Sequence, residues 1–567
     1  MVYKIADNIV SPLGTTTAQN YQAVKQGNTA LSYHATKWDI PKPFTASVFS
    51  EKQNEDMAVE GLTRFESMVV SSARQALAGT TVDIAAKNVV FILSTTKANV
   101  ELLGNADASS DVLFPGESAA RIAKAIGVTT SPIVVCNACI SGLSAIILAQ
   151  RLLENRTYDY AIVCGADVLD KFVVSGFQSL NAMAEHECRP YDIERIGMNL
   201  GEAAATIILS ATPTDESTPW AIGYGAVRND AYHISSPSKK GDGAFRCLLP
   251  SVEAASVESL ALVNAHGTAT MFMDQMESVA IERAGLAGML VNSLKGYYGH
   301  TLGAAGVLET ALTMRSLDDH TIIGTRGFEE LGVSGKIQVS ATNGETDKQS
   351  FIKLVSGFGG CNAALLATKA PQTEATTVRN KTPQRTHHVV ITPTGITVDG
   401  QSLACEETGK DMLTRIYKQT IGDYPKYYKM DMLSRLGFIA SELLISAEGN
   451  ERFEANEQRA IILFNHSSSI HADTNYLASI KEPDNYFPSP SLFVYTLPNI
   501  VAGEIAIRNH YYGETSFYIL PKQDEETISQ VQQAAFRDPM THSMITGWLD
   551  YEDDTNFLAD MYILDIE

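Results

Sequence analysis

The sequence is poor in the features of membrane, secreted and nucleic-acid-binding proteins. No run reaches the roughly 18 apolar residues a membrane-spanning helix needs. The opening MVYKIADNIVSPLG lacks the basic start and long apolar stretch of a secretory signal, so a cytoplasmic protein is expected. Cysteine is scarce and odd in number, seven in 567 residues, which excludes a closed disulfide framework. No pair of CxxC motifs offers a structural zinc site; the single C-N-A-C at Cys136–Cys139 leaves a thioredoxin-like redox pair open. Basic residues are in deficit, 43 against 65 acidic, for a net charge of −22. A broad nucleic-acid face is thereby excluded, although a local basic patch is not. The chain holds 45% hydrophobic and 19% charged residues, a composition that packs into cores rather than staying disordered. Its length implies about two to four domains.

Over the first 370 residues, short apolar runs alternate with amphipathic stretches. NVVFILST (88–95), SPIVVC (131–136), YAIVCGADV (160–168), AATIILS (204–210), ALVNAHGT (261–268) and FIKLVSGFGG (351–360) read as buried strands. TRFESMVVSSARQALA (63–78) and DQMESVAIERAG (274–285) read as helices between them. The alternation predicts an α/β fold with a largely parallel sheet. A polar, aperiodic stretch follows, read as a linker over 371–387, and a second α/β unit spans 388–567. Three segments recur in order: 63–77 resembles 434–445, 114–127 resembles 497–513, and 160–168 resembles 542–550, which predicts a partial internal repeat.

A thiol attacks only as its thiolate, and a helix N-terminus favours that form. Cys139 falls where the strand 131–136 hands over to a helix starting near Ser141, whereas Cys136 belongs to the strand. Cys136, Cys164 and Cys188 read as small buried hydrophobes. Among twelve histidines, His266 in NAHGTAT and His300 in KGYYGHTLGAAG lie in glycine-rich loops, where α/β sheets place their active sites.

Together these residues resemble the β-ketoacyl-acyl-carrier-protein synthase family, elongating Cys-His-His branch. NACISG, HGTAT, the K…GHTLGAAG…E segment and SGFGGCNAA occur in that family's order, and RPYDIERIGMNLGEAAA (189–205) resembles its acidic-Arg-Gly-Glu segment. The resemblance covers nearly all of residues 1–370, with halves of about 1–212 and 213–370. It implies a thiolase-like fold of five layers, α-β-α-β-α, usually dimeric. It further implies that Cys139 carries the acyl chain and that His266 and His300 bond the thioester carbonyl of a malonyl-carrier. Loss of CO2 then leaves an enolate that attacks the acyl-Cys. The backbone N–H groups of Cys139 and Phe358 would form the oxyanion hole. Lys295 and Glu309 would form a supporting pair; Thr268, Thr270, Gly357 and Gly359 would border the substrate. Asp192, Arg195, Glu202, Asp274 and Glu277 read as scaffold.

No metal and no cofactor is implied beyond the phosphopantetheine of the carrier protein. The expected partner is that acyl carrier protein, with no nucleic acid or membrane. Docking an acidic carrier calls for Lys and Arg, of which residues 55–68 offer only Arg64. Met273, Asn137 and Ile140 depart from the family pattern and suggest an altered pocket. Cys361, where the elongating enzymes usually carry Thr, leaves a thiolase-type acyltransferase as an alternative.

Residues 388–567 resemble only the first half of a synthase. A gap-free count places Pro521 opposite Cys139, and nothing after residue 520 resembles the histidine loops. The expectation is an inactive, truncated, chain-length-factor-like half-domain that makes a pseudo-dimer with the synthase, as an alternative to a homodimer. A wholly non-catalytic subunit that shapes another synthase is the remaining alternative.

Overall fold

A computed structural model of the chain describes residues 1–106, 109–213, 219–369, 382–449, 452–482 and 486–566. One strand topology recurs along it. The first sheet contains β1 (Val2–Val10), β2 (Val89–Ser94), β3 (Ile133–Val135), β4 (Tyr160–Asp167) and β5 (Ala203–Ser210). They pair in the order β3-β2-β4-β5-β1. The second contains β6 (Ala221–Asn229), β7 (Leu260–Asn264), β8 (Leu290–Asn292), β9 (Ser350–Ser356) and β10 (Cys361–Thr368), paired β8-β7-β9-β10-β6. The third contains β11 (Gln384–Thr392), β12 (Arg459–Asn465), β13 (Thr515–Ile519), β14 (Ser543–Asp553) and β15 (Asn556–Asp565), paired β13-β12-β14-β15-β11.

The sheets are mixed rather than largely parallel. In each, the strand written second runs parallel to its neighbours, while the last two join antiparallel. Loop length explains part of this. β9 turns into β10 through Gly357–Gly360, and β14 into β15 through Asp554–Thr555; connections that short permit only antiparallel neighbours.

Helices α1 (Arg64–Leu77) and α2 (Pro115–Ile126) cover the outside of the first sheet. α3 (Ser141–Glu154) and α6 (Ala305–Asp318) lie between the first and second sheets, and α4 (Asp242–Ala254) and α5 (Met271–Ile281) cover the outside of the second. The resulting order is α-β-α-β-α. It also accounts for the sequence of α3, in which every residue from Ser141 to Leu153 is buried: a helix between two sheets has no solvent face to keep polar.

In the third unit, α7 (Met432–Glu448) and α8 (Ile500–Asn509) lie on one face of the sheet, and α9 (Glu525–Ala535) packs against α3. The recurring sequence segments occupy matching places, on α1 and α7, α2 and α8, β4 and β14. β13 pairs antiparallel with β3, Tyr518 opposite Val135 and Ile519 opposite Val134, so the first and third sheets run into each other. Buried ion pairs reinforce this junction: Arg151 with Glu514 at 2.6 Å and Arg228 with Asp538 at 2.6 Å. After β13 the chain passes through Leu520, Pro521, Lys522, Gln523 and Asp524 into α9, with neither cysteine nor histidine in the turn.

Most of the expected linker, residues 371–381, lies outside the described residues. Its end is corrected: Gln384 already pairs with Asp565 and Arg385 with Leu564, so residues 384–387 are strand. A polar composition hid this because the start of β11 is solvent-facing while its backbone pairs with β15. Among the described residues no helix is long and apolar enough to cross a membrane.

Candidate active site

Cys139 occupies a single 3-10 turn, Ala138–Ile140, between β3 and α3. Ala138 has φ +48°, a left-handed conformation that costs an alanine about 1–3 kcal/mol and turns the chain sharply into the helix. Ser141 Oγ closes the turn, accepting from Asn137 N–H at 2.8 Å and donating to Ala138 O at 2.6 Å.

His266 follows β7. Glu277 on α5 accepts the N–H groups of His266 at 2.6 Å and Gly267 at 2.9 Å, and the Tyr191 hydroxyl at 2.5 Å. Asp274 accepts the N–H groups of Ala269 at 3.1 Å and Tyr191 at 2.7 Å, with Arg195 Nε at 3.9 Å. These carboxylates thus hold the histidine loop and spend their lone pairs on backbone. Glu202 likewise accepts from Phe49 and Leu169 N–H, and Asp192 from Glu329 and Glu330 N–H. His300 precedes α6, its N–H donating to Asn199 O at 2.7 Å.

The sulfur of Cys139 and one imidazole nitrogen each of His266 and His300 lie within 4.8 Å of one another. The two imidazoles meet edge to face, centroids 5.0 Å apart at 87°. Leu302 N–H donates to His300 Nδ1 at 3.4 Å, which puts the proton of the neutral ring on Nε2. Among the described residues, His300 Nε2 and His266 Nδ1 are buried without a hydrogen-bond partner. A buried polar atom left unsatisfied calls for an external partner, and a substrate carbonyl fits beside a protonated Nε2. A cysteine and two histidines this close are also zinc-binding residue types.

Burial pushes both imidazole pKa values well below the usual 6.5, aided for each by Lys295 and Lys353. Both rings are therefore neutral at pH 7, able to donate or to accept a proton. The thiol departs from expectation. Cys139 is only 8% exposed, and burial pushes it up to about 12 against the pull of Lys295 and of the Cys139 and Phe358 N–H groups. Desolvation outweighs the helix terminus. Cys139 therefore rests as a thiol, and for its sulfur to attack a substrate the proton would have to leave; the neighbouring neutral imidazoles can take it.

Lys295 and Glu309 form a buried ion pair. Sequence reasoning missed a third member. Lys353, fully buried in β9, meets the other Glu309 oxygen at 2.6 Å and also reaches the carbonyls of Asn264 at 3.3 Å and Ala265 at 3.2 Å, just before His266. Burial lowers Lys353 to about 8 despite Glu309, while the two lysines, overcoming burial, hold Glu309 below its usual value. A lysine inside the apolar run FIKLVS was the available signal. Glu309→Gln leaves two buried cations without their counter-charge, so unfolding in urea is expected to show a loss of about 3–5 kcal/mol. Lys353→Met leaves the Lys295–Glu309 pair intact and should cost clearly less.

Two cavities adjoin Phe358, and Cys139 lines one of them. Met273, Gly357 and Phe358 line one, together with His233, Ile234 and Gly360. Cys139, Val173, Phe177 and Phe358 line the other, which is closed by Phe493 and Leu497 of the third unit. Phe358 stands in both walls and stacks on Phe177 at 6.1 Å. Thr268 and Thr270 bond each other at 3.0 Å and line neither cavity. Gly359 also lines neither; a Cβ there would meet Asn499 Nδ2 at 2.7 Å.

Cys361 Sγ contacts Phe358 O at 3.1 Å, and burial pushes its pKa up. Cys136 and Cys139 are both free, and Cys136 Sγ faces Thr96 O. Arg64, the one cation that residues 55–68 offer, is bound to Glu202 at 2.7 Å and Glu101 at 2.6 Å.

Known proteins carry the same pattern. Residues 114–214 match the family model "Beta-ketoacyl synthase, N-terminal domain", and residues 221–329 match "Beta-ketoacyl synthase, C-terminal domain". The chain is 31% identical over 251 residues to the 3-oxoacyl-[acyl-carrier-protein] synthase 2 of Rhizobium meliloti, an alignment covering 41% of this chain and 59% of that one. It is 27% identical over 405 residues to the enzyme of the same name from Coxiella burnetii, covering 64% and 96%. A solved "PfaC Keto synthase-Chain length factor" structure superposes with a TM-score of 0.75 at 15% identity, covering 100% of this chain and 78% of that one, a likeness of fold. The fold is thiolase-like, and residues 114–214 and 221–329 carry the two domains of a beta-ketoacyl synthase.

Proposed function

We propose that this protein catalyses decarboxylative condensation of an acyl chain held on Cys139 with a malonyl-acyl-carrier protein, in fatty-acid or polyketide synthesis. The observation that carries the reading is the approach of one cysteine and two neutral histidines to within 4.8 Å, the cysteine lining an apolar cavity. An acyl-carrier thioester is attacked by Cys139 sulfur; the thiol proton passes through a neutral imidazole to the departing carrier thiolate. The N–H groups of Cys139 and Phe358, both facing that sulfur, receive the developing oxyanion. His266 and His300 then hold the malonyl thioester carbonyl while CO2 leaves. The enolate carbon bonds to the acyl carbon, and the Cys139 thiolate departs and regains a proton. In this reading the substrates arrive on phosphopantetheine. Assay of product mass from acyl-carrier and malonyl-carrier tests this: a 3-oxoacyl-carrier two carbons longer supports it, and hydrolysis or simple acyl exchange alone contradicts it.

Residues 384–566 act in this reading as an inactive half-synthase that replaces the second subunit of a dimer in cis. Phe493, projecting from this unit into the acyl cavity, supports the role. Its ring fills the space beside Gly176, where a Cβ would lie 2.1 Å from it. Phe493→Ala is expected to shift the product distribution toward chains longer by two or more carbons, read by mass spectrometry of carrier-bound products. Unchanged lengths would instead mean that this unit serves stability alone.

A further inference from the structure

The third unit approaches the chemistry more closely than a tunnel wall needs to. Asn499, at the start of α8, is 3% exposed. Its Nδ2 donates to Phe358 O at 2.9 Å, while its Oδ1 is buried with no hydrogen-bond partner among the described residues. α8 then meets the SGFGG loop backbone to backbone: a Cβ on Gly503 would lie 2.6 Å from Gly359 O. Asn229 Nδ2 fastens Gly359 O at 2.8 Å and is itself tied to Thr515 Oγ1 of β13 at 3.0 Å. The neighbouring N–H groups are committed to backbone, Gly357 to Cys361 O at 2.8 Å and Gly359 to Ile234 O at 2.6 Å. The Phe358 N–H faces the Cys139 sulfur.

The opposite arm is held from the same unit. Asn137, two residues before Cys139, accepts Phe517 N–H on Oδ1 at 2.8 Å and donates from Nδ2 to Ser516 Oγ at 3.2 Å. Cys136 N–H donates to Phe517 O at 3.0 Å. Phe358 and the segment that leads into Cys139 are therefore pinned to α8 and β13, neighbouring elements of one sheet-and-helix layer.

We propose that the C-terminal unit sets the separation and aim of the oxyanion hole, with Asn499 and Asn137 as its positioning residues. This rests on the reading of the Cys139 and Phe358 N–H groups as that hole. An oxyanion hole works only when its donors are already in place as charge develops, and a misplacement of about 1 Å can cost on the order of 100-fold. Here the rigidity is supplied across the junction between two units. Asn137, which stands where the family usually has another residue, gains a partner only because β13 runs beside β3.

The two half-reactions separate this from a merely structural role. Acylation of Cys139 uses the oxyanion hole, whereas decarboxylation of malonyl-carrier uses the two histidines. In the full-length protein, Asn499→Ala is expected to slow single-turnover acylation of Cys139 by about 10- to 100-fold, with the KM for acyl-carrier and the decarboxylation rate unchanged. Asn499→Asp, of the same size but without the donor, is expected to be at least as slow. Gly503→Ala, which pushes on Gly359 O without touching substrate, should reproduce the selective loss if Asn499 variants fold poorly. Wild-type acylation rates in the Asn499 and Gly503 variants, or equal falls in acylation and decarboxylation, would overturn the proposal. A wild-type protein that performs neither half-reaction overturns the reading of the site beneath it, an outcome distinct from either.

Discussion

Cys139→Ala is expected to eliminate the acyl-enzyme and reduce condensation by at least about 1,000-fold, because a covalent intermediate has no substitute when its only nucleophile is removed. The other thiols cannot take over. Cys361 is turned toward Phe358 O, and Cys136 faces Thr96 O on the strand side of the turn. The measurement is twofold: intact mass after incubation with acyl-carrier, and product formation after malonyl-carrier is added. The mass adduct should vanish in the variant while its thermal unfolding stays close to wild type, since alanine fits the 8% exposed site without strain beyond that already present at Ala138. Persistence of a single adduct in the variant would move the nucleophile elsewhere.

Loss of either histidine is the second large effect. His266→Ala and His300→Ala should each lower decarboxylation of malonyl-carrier by about 100- to 1,000-fold, the usual cost of one oxyanion donor. The double variant should be little worse than the poorer single one, because the two act on one carbonyl. Acylation of Cys139 should survive better than decarboxylation in both, provided one neutral imidazole remains to take the thiol proton. The pH dependence follows from the direction of the shifts. Burial and the Lys295 and Lys353 cations hold both imidazoles well below the usual range. They stay neutral from pH 6.5 upward, so the decarboxylation rate should show no acid limb near pH 6.5. A fall in rate centred there would mean that at least one histidine is exposed to water or paired with an anion.

Much of this was legible in the chain, and the reasons differ from residue to residue. Cys139 stood out because it sits where an apolar strand hands over to a helix, and His266 and His300 because they lie in glycine-rich loops. Glu277 and Asp274 read as scaffold, and they hold the His266 loop through backbone N–H groups. Lys353 was missed because a charged residue in a strand ordinarily faces water; only the packing of β9 against β7 and α6 shows it enclosed beside Glu309. Asn499 was invisible for a deeper reason. Its contact partner, Phe358, is 141 positions away, and the contact exists only once the third sheet has joined the first. The thiol was misjudged because a helix terminus can be read from sequence, whereas the loss of water around it cannot.

The recurrence of the order 3-2-4-5-1 in three sheets gives the C-terminal unit a physical role. A β3-type edge left open would expose unpaired backbone groups and invite another chain. In this protein β13 covers that edge. The same pairing brings Phe493 to the acyl cavity and Asn499 to the SGFGG loop.

The central claim is that Cys139 holds an acyl chain while His266 and His300 drive loss of CO2 from the partner substrate. The most direct test incubates full-length protein first with acyl-carrier and then with malonyl-carrier labelled in its free carboxylate, following labelled CO2, the Cys139 adduct and carrier-bound product in one time course. The expected result is an adduct mapped to Cys139 that disappears as CO2 and a 3-oxoacyl-carrier appear in a one-to-one ratio. Formation of that product with the label retained, or without any Cys139 adduct, would contradict it.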